Sequence, residues 1–182
     1  MRLAVSRLLA YGLDFVLLAG VFVGLQWLLA LLTSGFPFQY LQEGYQIELW
    51  VLMTVSLPVW TYFIWCEWKR RQTIGKRLMK VVIAGRDSKH PTFKQAFVRT
   101  MIKLMPWELT HIIILVPKPW YGMTETPANL PLIYIPNAMI VLYIVILFAG
   151  RGSRGLHDWA AGTTVSYLPA QGRANDKPLA AP

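Results

Sequence analysis

The sequence contains one cysteine, Cys66, which excludes an intramolecular disulfide. Charge is scarce too. Only 15% of residues are Asp, Glu, Lys or Arg against 55% hydrophobic, too little polar surface to clothe a water-soluble core of 182 residues. Acids number nine against eighteen Lys and Arg. No internal repeat or two-fold symmetry of the transporter kind is visible. No recognisable nucleophile context accompanies His157 and Asp158, so there is no reading of a catalytic triad. Gly150-Arg-Gly-Ser-Arg-Gly155 has dinucleotide-fingerprint spacing but follows an apolar run instead of a strand, and Gly75-Lys76 lacks the rest of a phosphate-binding loop. Nothing argues for an enzyme, a cofactor or a metal site.

What is present is long apolar runs. Leu8–Leu32 is interrupted only by Asp14 and Gln26, Leu49–Cys66 contains Pro58, and Leu130–Ala149 contains Pro131 and Pro136. A hydrocarbon core of about 30 Å needs roughly 20 helical residues, so each run can span it. The first run is too long for a signal peptide and lacks an Ala-x-Ala cleavage signal. Seventeen of the eighteen basic residues fall in three blocks: Arg2 and Arg7; eleven from Lys69 to Lys103; and Arg151, Arg154, Arg173 and Lys177. Basic residues collect on the cytoplasmic side, so both termini and the central segment are expected inside. The chain must then cross outward between segments two and four. That assigns a third span, about 98–116, to a stretch carrying Arg99, Lys103, Glu108 and His111.

The expected fold is therefore an all-α membrane protein. A four-helix transmembrane bundle (spans about 8–32, 49–66, 98–116 and 130–149) stands with N- and C-termini in. It forms a single domain over 1–168, followed by a disordered tail over 169–182. A small basic cytoplasmic platform completes it. In that platform Thr73–Arg77 reads as a polar turn and Leu78–Ala84 as a β-like stretch. The capping box Thr92-x-x-Gln95 opens an interfacial helix that bends at Pro106. Thr163–Leu168 is the second β-prone stretch, expected to pair with the first. Basic loops beside membrane spans make anionic lipid headgroups the nearer partner, and nucleic acid is not expected. A homo-oligomer or a membrane-protein partner is expected, because four helices make a narrow bundle.

Ionisable residues at membrane depth need partners. Asp14 lies about two turns into the first span, and Arg7 leans away from it, so Arg99 or Lys103 are the expected partners. It reads either as a buried ion pair or as a proton- or cation-binding carboxylate. Glu108 and His111, at i and i+3, are expected to hydrogen-bond each other along a polar seam or to relay protons. One Glu-x-x-His copy falls short of a di-metal site.

Four segments resemble the RDD family of small membrane proteins: Arg7-Leu-Leu-Ala-Tyr-Gly-Leu-Asp14, Thr73-Ile-Gly-Lys-Arg-Leu78, Ala96-Phe-Val-Arg99 and Gly155-Leu-His-Asp-Trp-Ala-Ala-Gly-Thr163. The resemblance covers about residues 5–167. It identifies Arg7, Asp14 and Asp158 as the family's arginine and two aspartates, and Thr73, Gly75, Lys76 and Arg77 as its inner-loop motif. Pro106–Asn129 departs from the family's compact apolar third section. The resemblance implies a bacterial inner-membrane protein that transports an unspecified ion or solute, with sodium–proton exchange suggested for some members. A non-transporting scaffold, assembly factor or accessory subunit is the alternative. Asp158 is expected to hold the platform through Arg77, Arg99 or Arg7.

Overall fold

The computed structural model describes residues 1–37, 39–85, 89–120 and 125–169. Of the expected tail, all but Pro169 lies outside the described residues. Helix α1 (Arg2–Leu32) runs unbroken through the first apolar segment. The second span is longer than its apolar run. It comprises α2 (Gly44–Val51), a π-helical stretch (Leu52–Ser56) and α3 (Leu57–Arg70) in continuous succession. A five-residue α4 (Ile74–Leu78), strand β1 (Val81–Ala84) and the long α5 (Phe93–Leu115) follow. After a single 3₁₀ turn at Leu130–Ile133 come α6 (Tyr134–Ala149), α7 (Leu156–Ala161) and strand β2 (Thr164–Tyr167).

Three of these helical stretches, Arg2–Leu32, Gly44–Arg70 and Leu130–Ala149, are long and apolar enough to cross a bilayer. Few residues of their most apolar stretches are fully buried within the chain. In water such exposure would be untenable, and in lipid it is the solvated face. Helix α5 is the exception. It packs against α2, α3, α6 and α7, so its charged positions meet protein on several sides.

Helix α1 buries a single stripe of Ala4, Arg7, Ala10 and Asp14. The small residues let other backbone come close. A Cβ on Gly75 would collide with the Ala10 carbonyl oxygen, and one on Gly152 with the Ala4 nitrogen. Farther along α1, Gln26 is satisfied across helices. Its amide donates to Thr54 Oγ1 at 3.0 Å and accepts from Trp50 Nε1 at 2.9 Å.

Strands β1 and β2 pair antiparallel, as expected, in the register Val81↔Tyr167 to Ala84↔Thr164. Val81, Ile83 and Val165 pack with Ala10 of α1 in a small core. The strand is shorter than the expected Leu78–Ala84, because Thr73 caps a helix where a turn was expected. Thr73 Oγ1 accepts the Lys76 N–H at 3.3 Å, and Leu78 closes that helix.

A second correction concerns Pro106. The interfacial helix and the span are not separate elements; α5 is one continuous helix with Pro106 inside it. Proline lacks the N–H that would bond the carbonyl four residues back, at Ile102. Tyr143 of α6 supplies the missing donor, its hydroxyl reaching Ile102 O at 2.8 Å.

Candidate functional site: a buried charge relay beside a cavity

At the sheet end of the molecule five elements meet around ionised side chains. Glu67, near the end of α3, is fully buried and takes three cations. Lys76 Nζ donates to its Oε1 at 2.5 Å, Lys103 Nζ to the same oxygen at 3.0 Å and Arg99 Nε to Oε2 at 2.7 Å. Arg99 then reaches Asp158 Oδ1 with Nη1, which also donates to Thr163 Oγ1 at 2.8 Å. Arg7 Nη2 closes on Asp158 Oδ2 at 2.5 Å, while its Nη1 donates to the Gly152 carbonyl at 2.8 Å. Asp158 is completed by the Gly155 N–H at 2.7 Å and the Thr163 hydroxyl at 3.1 Å. The chain Lys76/Lys103–Glu67–Arg99–Asp158–Arg7 thus ties α1, α3, α4, α5 and α7 together. A buried network of this kind holds only if nearly every member is satisfied.

Four basic side chains face two carboxylates in this relay, and the buried Asp14 carboxylate on the neighbouring cavity leaves a formal excess of one positive charge. Burial pulls the Lys76 ammonium below its ordinary value, against the opposing pull of Glu67. His157 is pushed well below its ordinary value by burial and by Arg99 and Arg7. It is therefore neutral, and its Nε2 accepts from Arg7 Nη2 at 3.0 Å. The neighbouring Asp158 at 3.4 Å makes no ion pair with an uncharged ring.

Asp14 sits apart from this relay. Its expected partners Arg99 and Lys103 belong to Glu67, and Asp14 takes three neutral donors instead. These are Thr73 Oγ1 at 2.5 Å, Gly75 N at 2.8 Å and Tyr62 Oη at 2.7 Å. The inner-loop motif explains this arrangement. Thr73 and Gly75 put a hydroxyl and an N–H side by side at the start of α4, and Gly75 lets that backbone touch α1. Lys76 of the same motif turns to Glu67. Arg77 is exposed and is not a partner of Asp158.

Glu108 and His111 do not bond each other. Glu108 Oε1 accepts from Trp60 Nε1 at 3.1 Å, and His111 packs edge-on against Trp107 with its Nδ1 unpartnered. Intrahelical spacing made the pair plausible, but a neighbouring tryptophan captured the acid.

A cavity of about 400 Å³ opens beside the relay, between α1, α5 and α6. Its charged lining is Arg7, Lys76, Arg99 and Lys103 together with the Asp14 carboxylate, and its walls include Phe15, Trp107 and Ile144. Lys103 also lies over the Phe63 ring, Nζ 3.6 Å from its centroid. A charged floor under apolar walls is the usual make-up of a small-molecule site, and the volume lies within the range of about 300–1,000 Å³ for such sites.

A family model described as RDD family matches residues 2–162. The chain belongs to the RDD family. Comparison with curated proteins and with solved structures finds no match. Membership and the three apolar helices together make this RDD chain a membrane protein. Within it the three signature residues divide their work. Arg7 and Asp158 bond each other, and Asp14 makes a separate joint to α4.

Glu67 was not among the residues singled out from the sequence. It stands in Glu67-Trp-Lys-Arg-Arg71, where one acid in a basic run reads as a solvated helix end. The signal that could have found it is that eight of the ten α3 residues before it are hydrophobic, all but Pro58 and Thr61, which continues the apolar run up to the acid.

Proposed function

We propose that this protein is a small-solute transporter of the bacterial inner membrane, with the cavity beside the charge relay as its solute site. In this reading α5 is the fourth crossing, and both termini and the sheet lie on the cytoplasmic side. The observation that carries it is the cavity itself, with four basic side chains and one carboxylate in its lining and room for a ligand between α1, α5 and α6. Buried cations in excess of their carboxylates suit an anionic solute. Of the two carboxylates expected to handle a coupling ion, Asp14 is locked by three donors and Glu108 is held by one. Proton or sodium coupling is therefore assigned to Glu108. No covalent step is assigned, because Asp158 is held by two guanidiniums and neutral His157 by one.

The test is flux into proteoliposomes of protons, sodium and a panel of organic and inorganic anions, measured against empty vesicles. Saturable flux of any of these supports the reading. None, from protein with intact thermal unfolding, counts against it. A second reading, as a scaffold or accessory subunit, draws on the exposed basic residues Lys69, Arg70, Arg77, Arg151 and Arg154 at the sheet end. It predicts a stoichiometric partner in mild detergent extracts, and recovery of the chain alone would undercut it.

A further inference from the structure

We infer that the ligand of the cavity is a single-chain amphiphile with an anionic headgroup, such as an alkyl phosphate or a fatty acid. The inference rests on the cavity reading above and names its substrate class.

The cavity is polarised along the membrane normal. On α1 its lining runs from Arg7 to Phe15, on α5 from Arg99 to Thr110 and on α6 from Leu147 back to Ile140. At 1.5 Å per residue these stretches are roughly 10–16 Å long. The basic groups lie toward the sheet end; beyond them the lining is mostly aromatic and aliphatic, with Thr110 and an Asp14 carboxylate already taken by three donors. A small inorganic anion would satisfy the floor and leave the walls empty. An uncharged chain would cover the walls and leave the surplus charge unanswered. An amphiphile answers both.

The mouth faces in the same direction. Among the described residues, helices α1 and α6 make at most slight contact with one another. The lining residues Phe15 of α1 and Ile140 and Ile144 of α6 remain 38–45% exposed in the gap between them. At that depth the medium is hydrocarbon, so the opening is a lateral one through which a chain can enter from the bilayer. Lys103 is the headgroup contact best placed to be shared. Its partner Glu67 keeps Lys76 and Arg99 when Lys103 turns to a ligand. Gly12 lines the same cavity and has no atom within 4 Å of where its Cβ would stand, so a larger side chain there enters open space.

The experiment is equilibrium binding of labelled dodecyl phosphate to the full chain in phosphatidylcholine nanodiscs, with empty nanodiscs as the partition background. Saturable binding of one molecule per chain is expected. A hundred-fold excess of dodecanol or of inorganic phosphate should not compete. Gly12→Leu and Lys103→Gln should each weaken binding at least ten-fold while thermal unfolding stays near wild type. Several results would overturn the inference: binding no greater than in empty discs, equal competition by dodecanol or by inorganic phosphate, preferential competition by diacyl phosphatidic acid, or indifference to both variants. Saturable binding without flux would support this inference and remove the transport reading. Flux of small anions with no amphiphile binding would do the reverse.

Discussion

Replacing Glu67 by Gln is the sharpest perturbation of the charge relay. The side chain keeps its volume and one oxygen but loses its charge, and an NH₂ group replaces an oxygen that faced a cation. Three basic groups within 2.5–3.0 Å lose their shared counter-charge in a site with no exposure to solvent. Breaking a buried pair by removing one partner costs about 3–5 kcal/mol, because the remaining charge stays buried. For a chain of this size each kcal/mol moves the unfolding midpoint by about 2–4 °C, so the expected fall is about 6–20 °C. Thermal unfolding in a neutral detergent, followed by tryptophan fluorescence, reads it directly. The double variant Glu67→Gln/Lys103→Gln should recover part of the loss, and Lys103→Gln alone should cost far less than Glu67→Gln. A Glu67→Gln midpoint within about 2 °C of wild type, or a double variant worse than the sum of the two, would refute the assignment of Glu67 as hub.

Other expectations follow from the same contacts. His157 is held neutral, well below its unfolded value of about 6.5. The unfolded chain therefore takes up a proton that the folded chain refuses. Stability present above pH 6.5 should fall as pH drops below it, by up to about 1.4 kcal/mol per unit. Unfolding midpoints from pH 7.5 to 5.5 test this, and His157→Gln should flatten the slope. Gly75→Ala should cost about 1–3 kcal/mol, since its Cβ must displace the Ala10 carbonyl; an unchanged midpoint would contradict the close approach of α4 to α1. Asp14→Asn should destabilise by about 1–3 kcal/mol, because its amide nitrogen must face a donor. Tyr143→Phe should cost about 1 kcal/mol by orphaning the Ile102 carbonyl, which native-state hydrogen exchange of α5 would register.

Much of the architecture could be read from residue pattern. Apolar runs located three spans, and the basic blocks implied a fourth helix between them. The β-prone stretches flanking the second and last spans are indeed partners, because Val81, Ile83 and Val165 need a common surface and Ala10 provides it. The errors have a shared physical cause: pattern reports which residues want a partner, and the tertiary arrangement decides which partner is nearest. Asp14 was expected beside a cation, but Thr73 and Gly75 reach it first because Gly75 allows α4 to touch α1. Glu108 was expected beside His111 and is taken by Trp60. Pro106, expected to bend the chain between an interfacial helix and a span, lies inside one helix, where a tyrosine on another helix supplies the donor it lacks. For Asp158 the sequence left Arg77, Arg99 and Arg7 open; Arg7 and Arg99 both bond it, and Arg77 is exposed. Glu67 escaped notice because its basic neighbours in sequence disguise an acid whose side chain points inward.

The most direct test compares solute flux in proteoliposomes of Gly12→Leu and Gly75→Ala, each normalised to folded protein. Gly12→Leu, placed in open space on the cavity lining, is expected to lose flux and keep its unfolding midpoint. Gly75→Ala, outside the cavity lining, should lower the midpoint yet transport at near wild-type rate. Flux retained in Gly12→Leu and lost in Gly75→Ala would contradict the cavity as the solute site.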